Sequence, residues 1–311
     1  MRSKRTNPHV FLCIIILTAL ALLTGCNAVP EQPAVVPPVD TPVQRPGEIE
    51  QPVAQPVVLT PTKPDLPVAA RVNGEGILLS EYVAELQRYA SAMEEMGKTV
   101  DPEVQRQMVL DELVDQVLLA QAANAAGFSM DDAALEARIA ELGDAQALAE
   151  WQSQHGYDAD SFRIALRRQA AAAYQRDQIA ARVPDAVEQV RARQILVFDQ
   201  ALAERLHNRL EGGADFALVV RQIDPTGGEL GWFPRGYLTQ PEIEAAAFNL
   251  QPGQYSEVIQ TSFGFHIVQT ISRDALHPVS AEVRRFLQYQ ALRSWLEEQR
   301  SRSEIEVLLP E

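Results

Sequence analysis

The chain has 311 residues, long enough to bury a sizeable core, and its 42 acidic residues against 27 lysines and arginines give a net charge of −15 at pH 7. Such an acidic surface repels nucleic acid and offers no basic patch to anionic lipid head groups, which argues against a nucleic-acid partner. The histidines lack the spacing of metal ligands, and we expect neither a metal site nor a cofactor.

Residues 1–25 have the pattern of a targeting segment. Three basic residues are followed by an apolar run, Val10 to Leu23, that is shorter than the roughly 20 residues a helix needs to span a bilayer. The run closes on Leu23-Thr24-Gly25-Cys26, which resembles a bacterial lipobox, where cleavage precedes acylation of the cysteine. We expect Cys26 to carry a lipid; the alternative is a chance Gly-Cys pair after a secretory signal.

Residues 26–67 contain a proline every few positions. Proline lacks a backbone donor and fixes its own backbone angle, so this segment is predicted to form neither a sheet nor a helix. It is interpreted as a semi-rigid tether, which could reach roughly 130 Å in a fully extended polyproline form. Its expected role is to hold the folded part of the chain away from a membrane.

Residues 68–185 are predicted to form an all-helical unit after a short strand, a turn at Asn73-Gly74 and a returning strand. Ser80 is predicted to cap the first helix. Apolar residues recur there at helical spacing, at Tyr82, Val83, Leu86, Tyr89, Ala90 and Met93.

The later helices of this region also have recognisable boundaries. A second helix is predicted to start at Asp101-Pro102, to stop at Gly127 and to be covered on more than one side. Ser129 to Asp132 resembles a capping box for a third helix, and shorter helices follow as far as Pro184. The arginines near the end are interpreted as the solvated face of a helix: Arg163, Arg167 and Arg168.

Residues 186–273 are predicted to form an α+β unit in which a strand, two helices, a short helix and two further strands follow one another. Three blocks stand out in it: Ala192 to Val197, Gly227 to Phe233, and Phe263 to Val268. In their order and spacing these blocks resemble the parvulin family of peptidyl-prolyl isomerases. The resemblance implies a parvulin-like fold and isomerisation of Xaa-Pro bonds, a reaction that needs no metal or cofactor.

The resemblance also assigns site residues. The active-site acid of the family corresponds to Asp224, its threonine and histidine to Thr261 and His266, and one further histidine is replaced by Gln194. The positions that line the proline pocket correspond to Leu238, Ile243 and Phe248. Each has a purely structural alternative: an acid before Pro225 starts ordinary turns, a lone histidine in an apolar strand is usually a core residue, and the apolar trio would be core in any case.

Two departures from the family pattern imply reduced activity. Gln194 can donate or accept a hydrogen bond, but unlike histidine it cannot titrate or exchange tautomers. The loop from Asp224 to Gly227 is several residues shorter than usual. The junction after Val197 carries no basic cluster, so recognition of phosphorylated substrates is not expected.

The helical region resembles the N-terminal chaperone region of SurA-type and PrsA-type extracytoplasmic foldases. A final helix in residues 274–311 has apolar residues on both halves of its surface and therefore needs more than one neighbour. In similar foldases this helix packs back onto the N-terminal helices. The resemblance thus implies a parvulin-like domain, residues 186–273, inserted between the two parts of a helical chaperone domain, 68–185 and 274–311.

Together these features predict a lipid-anchored extracytoplasmic protein of a bacterial membrane that isomerises Xaa-Pro bonds in unfolded secreted polypeptides and acts as their chaperone. The alternative is a chaperone that only holds its clients, with a weak or inactive parvulin-like domain as a peptide-binding platform. A passive structural lipoprotein would leave the three blocks unexplained.

Overall fold

The computed structural model describes residues 67–309. The targeting segment, Cys26 and nearly all of the tether lie outside the described residues. In the part that is described, no helix is long and apolar enough to cross a membrane. The described residues divide into two compact units, the first formed by residues 67–175 and 298–309, and the second by Arg176–Glu297.

The described residues form, in chain order, β1 (Val68–Val72), β2 (Glu75–Leu78), α1 (Leu79–Glu95), α2 (Pro102–Ala125), α3 (Asp132–Glu141), α4 (Ala145–Gln154), α5 (Ala159–Ala181), β3 (Ala186–Val197), α6 (Gln200–Glu211), α7 (Phe216–Ile223), β4 (Glu229–Phe233), α8 (Pro241–Asn249), β5 (Ile259–Thr261), β6 (Gly264–Pro278), α9 (Ala281–Arg302) and β7 (Ile305–Val307).

The first unit contains an antiparallel sheet in the order β2-β1-β7, in which β1 and β2 are the predicted strand and its return, and β7 is a third strand that the sequence did not predict. The predicted turn between β1 and β2 is confirmed, with Asn73 at φ 51° and Gly74 at φ 83°, a conformation that asparagine and glycine tolerate best. Asn73 also donates its backbone N–H to the carbonyl of Glu304 at 2.8 Å. The turn is therefore an attachment point for the C-terminal segment.

Helix α1 begins at Leu79, and the prediction that Ser80 caps it was wrong. Strand β2 passes directly into the helix, and the backbone N–H of Leu79 is satisfied by the carbonyl of Pro67 at 2.9 Å rather than by a side chain. Tyr82, Tyr89 and Met93 are buried as their spacing predicts.

Helix α2 confirms its predicted start. Asp101 accepts hydrogen bonds from the backbone N–H groups of Glu103 at 2.8 Å and Val104 at 3.4 Å, and proline occupies the first turn. Buried residues lie on more than one side of the helix, including Met108, Val109, Leu110, Leu113, Val114, Val117 and Leu118. They pack with β1, β2 and α1 to form the main core of the first unit.

Helices α3, α4 and the first part of α5 enclose a second apolar cluster around Leu135, Leu142, Phe162 and Leu166. Helix α3 starts within the predicted segment, but its cap is Asp131 and not Ser129: Asp131 accepts a hydrogen bond from the backbone N–H of Ala134 at 2.8 Å. The interpretation of Arg168 as solvated was wrong: its side chain is 10% exposed and forms an ion pair with Glu81 of α1.

The second unit confirms the predicted α+β fold. Its four antiparallel strands lie in the order β4-β3-β6-β5. Adjacent residues of a strand point to opposite faces of a sheet, so Ile267 packs with α6 and α7 while Val268 packs with α8. The sheet thus separates two cores, and the one beneath α8 contains Ile243 and Phe248.

Candidate functional site

A chain of three polar side chains crosses the second unit on neighbouring strands β3, β6 and β5. His266 of β6 is at its centre and is 2% exposed. Its Nδ1 lies 2.8 Å from Oε1 of Gln194, and its Nε2 lies 2.8 Å from Oγ1 of Thr261. We call these three residues the polar relay. The structure therefore brings together three of the four polar residues predicted from sequence.

Strand pairing explains how the relay is assembled. In the β3–β6 ladder Leu196 is opposite His266 and Gln194 is opposite Val268. Gln194 and His266 are thus diagonal neighbours on one face, a distance that long side chains can bridge. The same face packs beneath α8, since Val268 belongs to the cluster of Ile243 and Phe248. The relay consequently lies next to the predicted proline pocket.

His266 is held in its neutral form. Burial disfavours the charged imidazolium and lowers the pKa of His266, and the carboxylate of Glu242 opposes this with a smaller effect. At neutral pH the ring therefore carries one hydrogen and offers one donor and one acceptor. The relay contains no charged side chain and can orient or polarise a bound group.

Asp224 lies at the end of α7, and its hydrogen bonds go to its own loop. One carboxylate oxygen accepts from the backbone N–H of Thr226 at 2.9 Å and from its hydroxyl at 2.7 Å. Both bonds lower the pKa of Asp224, and the bond from the hydroxyl has the larger effect. The structure records no hydrogen bond between Asp224 and the described residues of the relay.

The Asp224 loop is nevertheless attached to the relay strand. The carbonyl of Gly228 accepts the backbone N–H of Gln194 at 2.9 Å. Gly228 has φ 62°, and a Cβ placed on it would lie 1.9 Å from the carbonyl oxygen of Gln194. Only glycine fits this approach, so the short loop has a fixed position relative to Gln194.

The three predicted pocket residues share one apolar cluster. Ile243 and Phe248, on α8, are 1% and 3% exposed, whereas Leu238 in the preceding loop is half-buried. The guanidinium of Arg235 lies 4.1 Å from the centre of the Phe248 ring. Leu238 is therefore the member of the trio that has most surface available to a ligand.

Sequence analysis missed the residues that hold the Leu238 loop. The carboxylate of Glu244, on α8, accepts the backbone N–H groups of Gly236 at 2.6 Å and Leu238 at 3.1 Å. Tyr237 donates its hydroxyl to Glu282 of α9 at 2.9 Å and packs edge-on against Phe286. An acid in the first turn of a helix is common, so nothing local indicated this role for Glu244.

Two large apolar side chains are exposed close to Thr261. Phe263, in the turn between β5 and β6, is 57% exposed, and its backbone N–H donates to Oγ1 of Thr261 at 3.0 Å. Phe198, which follows β3, is 83% exposed, and its ring approaches Gly264. We call Phe198 and Phe263 the aromatic edge. In the described part of the chain no group of three or more metal-ligating side chains occurs.

Comparison with known proteins identifies two domains. Residues 61–166 match the family model of the SurA-like N-terminal domain, and residues 179–272 match that of the PPIC-type PPIASE domain. The Foldase protein PrsA of Geobacillus sp. (strain WCH70) is 32% identical over 126 residues, which cover 39% of this chain and 45% of that protein.

The Chaperone SurA of Nitrosospira multiformis is 34% identical over 148 residues, covering 40% of this chain and 33% of that protein. The crystal structure of a peptidylprolyl isomerase (PrsA) from Bacillus anthracis has 23% identity and a TM-score of 0.41, with 62% of this chain and 96% of that chain covered. The match spans less than half the length of these two curated relatives. The predicted resemblance is confirmed: the chain carries a SurA-like N-terminal domain and a PPIC-type peptidyl-prolyl isomerase domain, and it is related to the PrsA and SurA foldases.

Proposed function

We propose that this protein is a peptidyl-prolyl cis-trans isomerase and chaperone that assists the folding of secreted proteins. The observation that carries the proposal is the polar relay of Gln194, His266 and Thr261 beside an apolar cluster in a PPIC-type domain. The relatives named as foldases and chaperones support the same activity. Its substrates are Xaa-Pro bonds in unfolded polypeptides.

The chemistry of the reaction suits this site. Rotation about a prolyl bond must overcome a barrier of roughly 18–20 kcal/mol that comes from amide resonance. A catalyst lowers it by binding the twisted amide more tightly than the planar one, and no covalent intermediate is required. Leu238, Ile243 and Phe248 would hold the proline ring, and the relay would supply the polar contacts. Asp224 would border the site from its loop.

We propose that activity is reduced relative to parvulins that have a second histidine. Gln194 cannot titrate or exchange tautomers as a histidine does, and in the short loop the carboxylate of Asp224 is bound to Thr226. Neither change removes a step that isomerisation needs, because the reaction has no obligatory proton transfer. A slow but measurable rate is expected.

Exchange of a short Xaa-Pro peptide, followed by NMR in the presence of the protein, tests the isomerase. We expect exchange faster than in buffer, and a clear loss for His266→Ala and Asp224→Ala. Asp177→Ala, an exposed acid of α5, serves as the control and should behave as the unmodified protein does. Exchange no faster than in buffer would contradict the proposed isomerase activity.

The alternative is a chaperone that holds clients without isomerising them. The aromatic edge favours binding of apolar client segments, since large exposed aromatic side chains beside a site mark an interaction surface. Suppression of aggregation of an unfolded client, measured for the unmodified protein and for Phe198→Ser with Phe263→Ser, tests this function. Suppression that persists in a protein with no exchange activity would favour the holding role alone.

We also propose an extracytoplasmic location, with a lipid on Cys26 as the membrane attachment. The lipobox-like sequence and the relatives named PrsA and SurA support it. Mass spectrometry of the full chain purified from membranes should find a diacylated Cys26, and Cys26→Ser should move the protein to the soluble fraction. An unmodified Cys26 in a membrane-bound protein would contradict the lipid anchor.

The proposed domain division is a signal at 1–25, a tether at 26–67, a helical domain at 68–185, an isomerase domain at 186–273 and a C-terminal helix at 274–311. The contacts of Arg300 with α2 and of residues 305–307 with β1 support the last part of this division, whereas residues 176–185 and 274–297 share a compact unit with the isomerase strands. Limited proteolysis should cut first in the tether. Early cleavage within 186–273 would contradict the division.

A further inference from the structure

The relay has a fixed direction of hydrogen bonding. The side-chain oxygen of Gln194 faces Nδ1 of His266 at 2.8 Å, and an amide oxygen can only accept. Nδ1 must then carry the single hydrogen of the neutral ring. Nε2 is left as an acceptor, so the hydroxyl of Thr261, 2.8 Å away, must donate to it.

The far end of the relay agrees with this direction. Oγ1 of Thr261 gives its hydrogen to His266 and uses a lone pair to accept the backbone N–H of Phe263 at 3.0 Å. Each donor in the series thus meets one acceptor. A histidine at position 194 could reverse the series by exchanging tautomers, whereas Gln194, with its oxygen toward the ring, favours the Nδ1–H tautomer of His266.

The amide nitrogen of Gln194 is the group that this arrangement leaves unused. Among residues 67–309 it has no hydrogen-bonding partner, while the oxygen of the same amide is engaged by His266. Gln194 as a whole is partly exposed. Gln194 is paired with Val268, a member of the cluster beneath α8, which puts its amide beside the proposed proline pocket.

We propose that Gln194 is a catalytic residue with two functions: its oxygen holds His266 in the Nδ1–H tautomer, and its amide N–H donates a hydrogen bond to the bound Xaa-Pro peptide. This proposal rests on the proposed isomerase. When a prolyl amide twists, resonance is lost and the nitrogen regains its lone pair, so a donor directed at that nitrogen binds the twisted form more strongly than the planar one. Gln194 replaces the family's histidine with a donor that cannot titrate.

The tautomer is tested first, on the folded protein without substrate. Long-range proton–nitrogen NMR correlations of the imidazole distinguish the two neutral tautomers, and we expect hydrogen on Nδ1. In Gln194→Met, which has neither donor nor acceptor, the preference should weaken. Hydrogen on Nε2 in the unmodified protein would show that the glutamine nitrogen faces His266, and it would overturn the proposal whether or not the protein is an isomerase.

The donor is tested by comparing Gln194→Glu with the unmodified protein at a pH at which NMR shows His266 to be neutral in both, because the new carboxylate raises the pKa of the ring. Glutamate keeps an acceptor for Nδ1–H and has no N–H of its own, so the tautomer should persist while prolyl exchange falls at least about tenfold, the loss typical of one hydrogen bond to a transition state. Gln194→His should recover part of the rate. Equal exchange rates for Gln194→Glu and the unmodified protein would refute the proposed hydrogen bond from the Gln194 amide without contradicting the proposed isomerase activity.

Peptide binding gives a readout that does not depend on activity. Titrating an Xaa-Pro peptide should shift the side-chain amide resonance of Gln194, and a peptide with alanine in place of proline should shift it less. If the unmodified protein shows no exchange, the proposed isomerase fails, and this titration still decides whether the amide contacts a bound peptide. If the side-chain amide resonance of Gln194 does not shift at saturation with peptide, the proposed hydrogen bond from this amide to the peptide is wrong. Thermal unfolding of each variant shows whether it is folded.

Discussion

Arg300, close to the end of α9, donates a hydrogen bond from Nη1 to Oδ1 of Asp111 in α2 at 3.0 Å, across 189 residues of sequence. The same guanidinium donates to the carbonyl of Asp111 at 2.8 Å and to Oδ1 of Asp115 at 2.6 Å. Strand β7 follows and pairs with β1, so the last residues of the chain complete the first unit.

Replacing Arg300 by methionine should therefore destabilise the first unit. The change removes three hydrogen bonds to charged or backbone oxygens, and we expect a loss of about 1–3 kcal/mol in the free energy of unfolding. Urea unfolding of the two proteins measures it. Arg293→Met is the matched control, because among residues 67–309 Arg293 forms one exposed pair, with Glu297 four residues on, and the change should alter the free energy by less than about 0.5 kcal/mol. Equal effects of the two changes would contradict the role of Arg300.

The ion pair between Arg168 and Glu81 leads to a second prediction. Burial lowers the pKa of Arg168 to about 10, against a smaller opposing effect of Glu75, and its buried Nε has no partner in the described part of the chain. Removing one member of a buried pair leaves the other charge uncompensated and costs about 3–5 kcal/mol, whereas replacing both by apolar side chains costs much less.

A double-mutant cycle in urea tests this. We expect Glu81→Leu and Arg168→Met each to lose more stability than the double variant loses. Losses that simply add would mean that the two side chains do not interact. The exposed pair of Arg163 with Glu136, on α5 and α3, is the matched control, and the same cycle should give less than about 1 kcal/mol of coupling.

Much of the fold follows from local sequence signals. Asp101-Pro102 predicts the start of α2, and Asn73-Gly74 predicts the first hairpin, because the capping acceptor and the turn conformation are encoded by adjacent residues. Partners far along the chain leave no such signal. The sequence of residues 305–307 gives no indication that they pair with β1. The sequence around Arg168 likewise does not reveal its burial, because its partner Glu81 is 87 positions away.

The candidate site likewise has some features that the sequence predicts and others that it does not. Gln194, Thr261 and His266 could be named from family blocks, and the structure brings them within hydrogen-bonding distance of one another. Their direction of hydrogen bonding could not be predicted, since it depends on which amide atom of Gln194 faces the ring. Glu244 was missed because its two acceptors meet backbone groups, and a backbone N–H has no residue type that a sequence could reveal.

A third prediction concerns Gly228. A Cβ at this position would lie 1.9 Å from the carbonyl oxygen of Gln194 and 2.9 Å from the side chain of Val220, so Gly228→Ala must displace β4 from β3. We expect a loss of about 2–4 kcal/mol in unfolding free energy. Gly227→Ala is the control, since Gly227 also has a positive φ but no atom within 4 Å of a Cβ. A similar loss for both would mean that backbone strain, and not the close approach, decides.

A fourth prediction concerns Glu244. Glutamine at this position keeps one acceptor oxygen, but an NH2 group takes the place of the other. That group cannot accept the backbone N–H of Gly236 or Leu238, so the loop that presents Leu238 should loosen. In prolyl exchange we expect KM to rise roughly threefold to tenfold with little change in kcat, since substrate binding and not the relay is affected. Glu211→Gln, at the exposed end of α6, is the control. An unchanged KM in a folded variant would rule out this role for Glu244.

The fifth prediction is the pH dependence that follows from His266. Its pKa in the folded protein lies below the ordinary value of about 6.5, so the unfolded chain binds more protons at acidic pH. The contribution of the neutral ring to stability is therefore complete above about pH 6.5 and is lost as the pH falls from there through the pKa of the folded protein. Titration of the ring by NMR should give a midpoint below 6.5.

Comparison with His266→Gln isolates this contribution, because every carboxylate and every other histidine is common to the two proteins and cancels in the difference. Urea unfolding between pH 7.5 and 5 should show the free energy of the unmodified protein falling toward that of the variant as the pH decreases. The reason is that the buried imidazole must take up a proton where solvation is poor, whereas the glutamine has no proton to gain. A difference that stays constant over this range, or a ring that titrates above 6.5, would mean that His266 is not held neutral by burial and that the relay does not have the direction derived from Gln194.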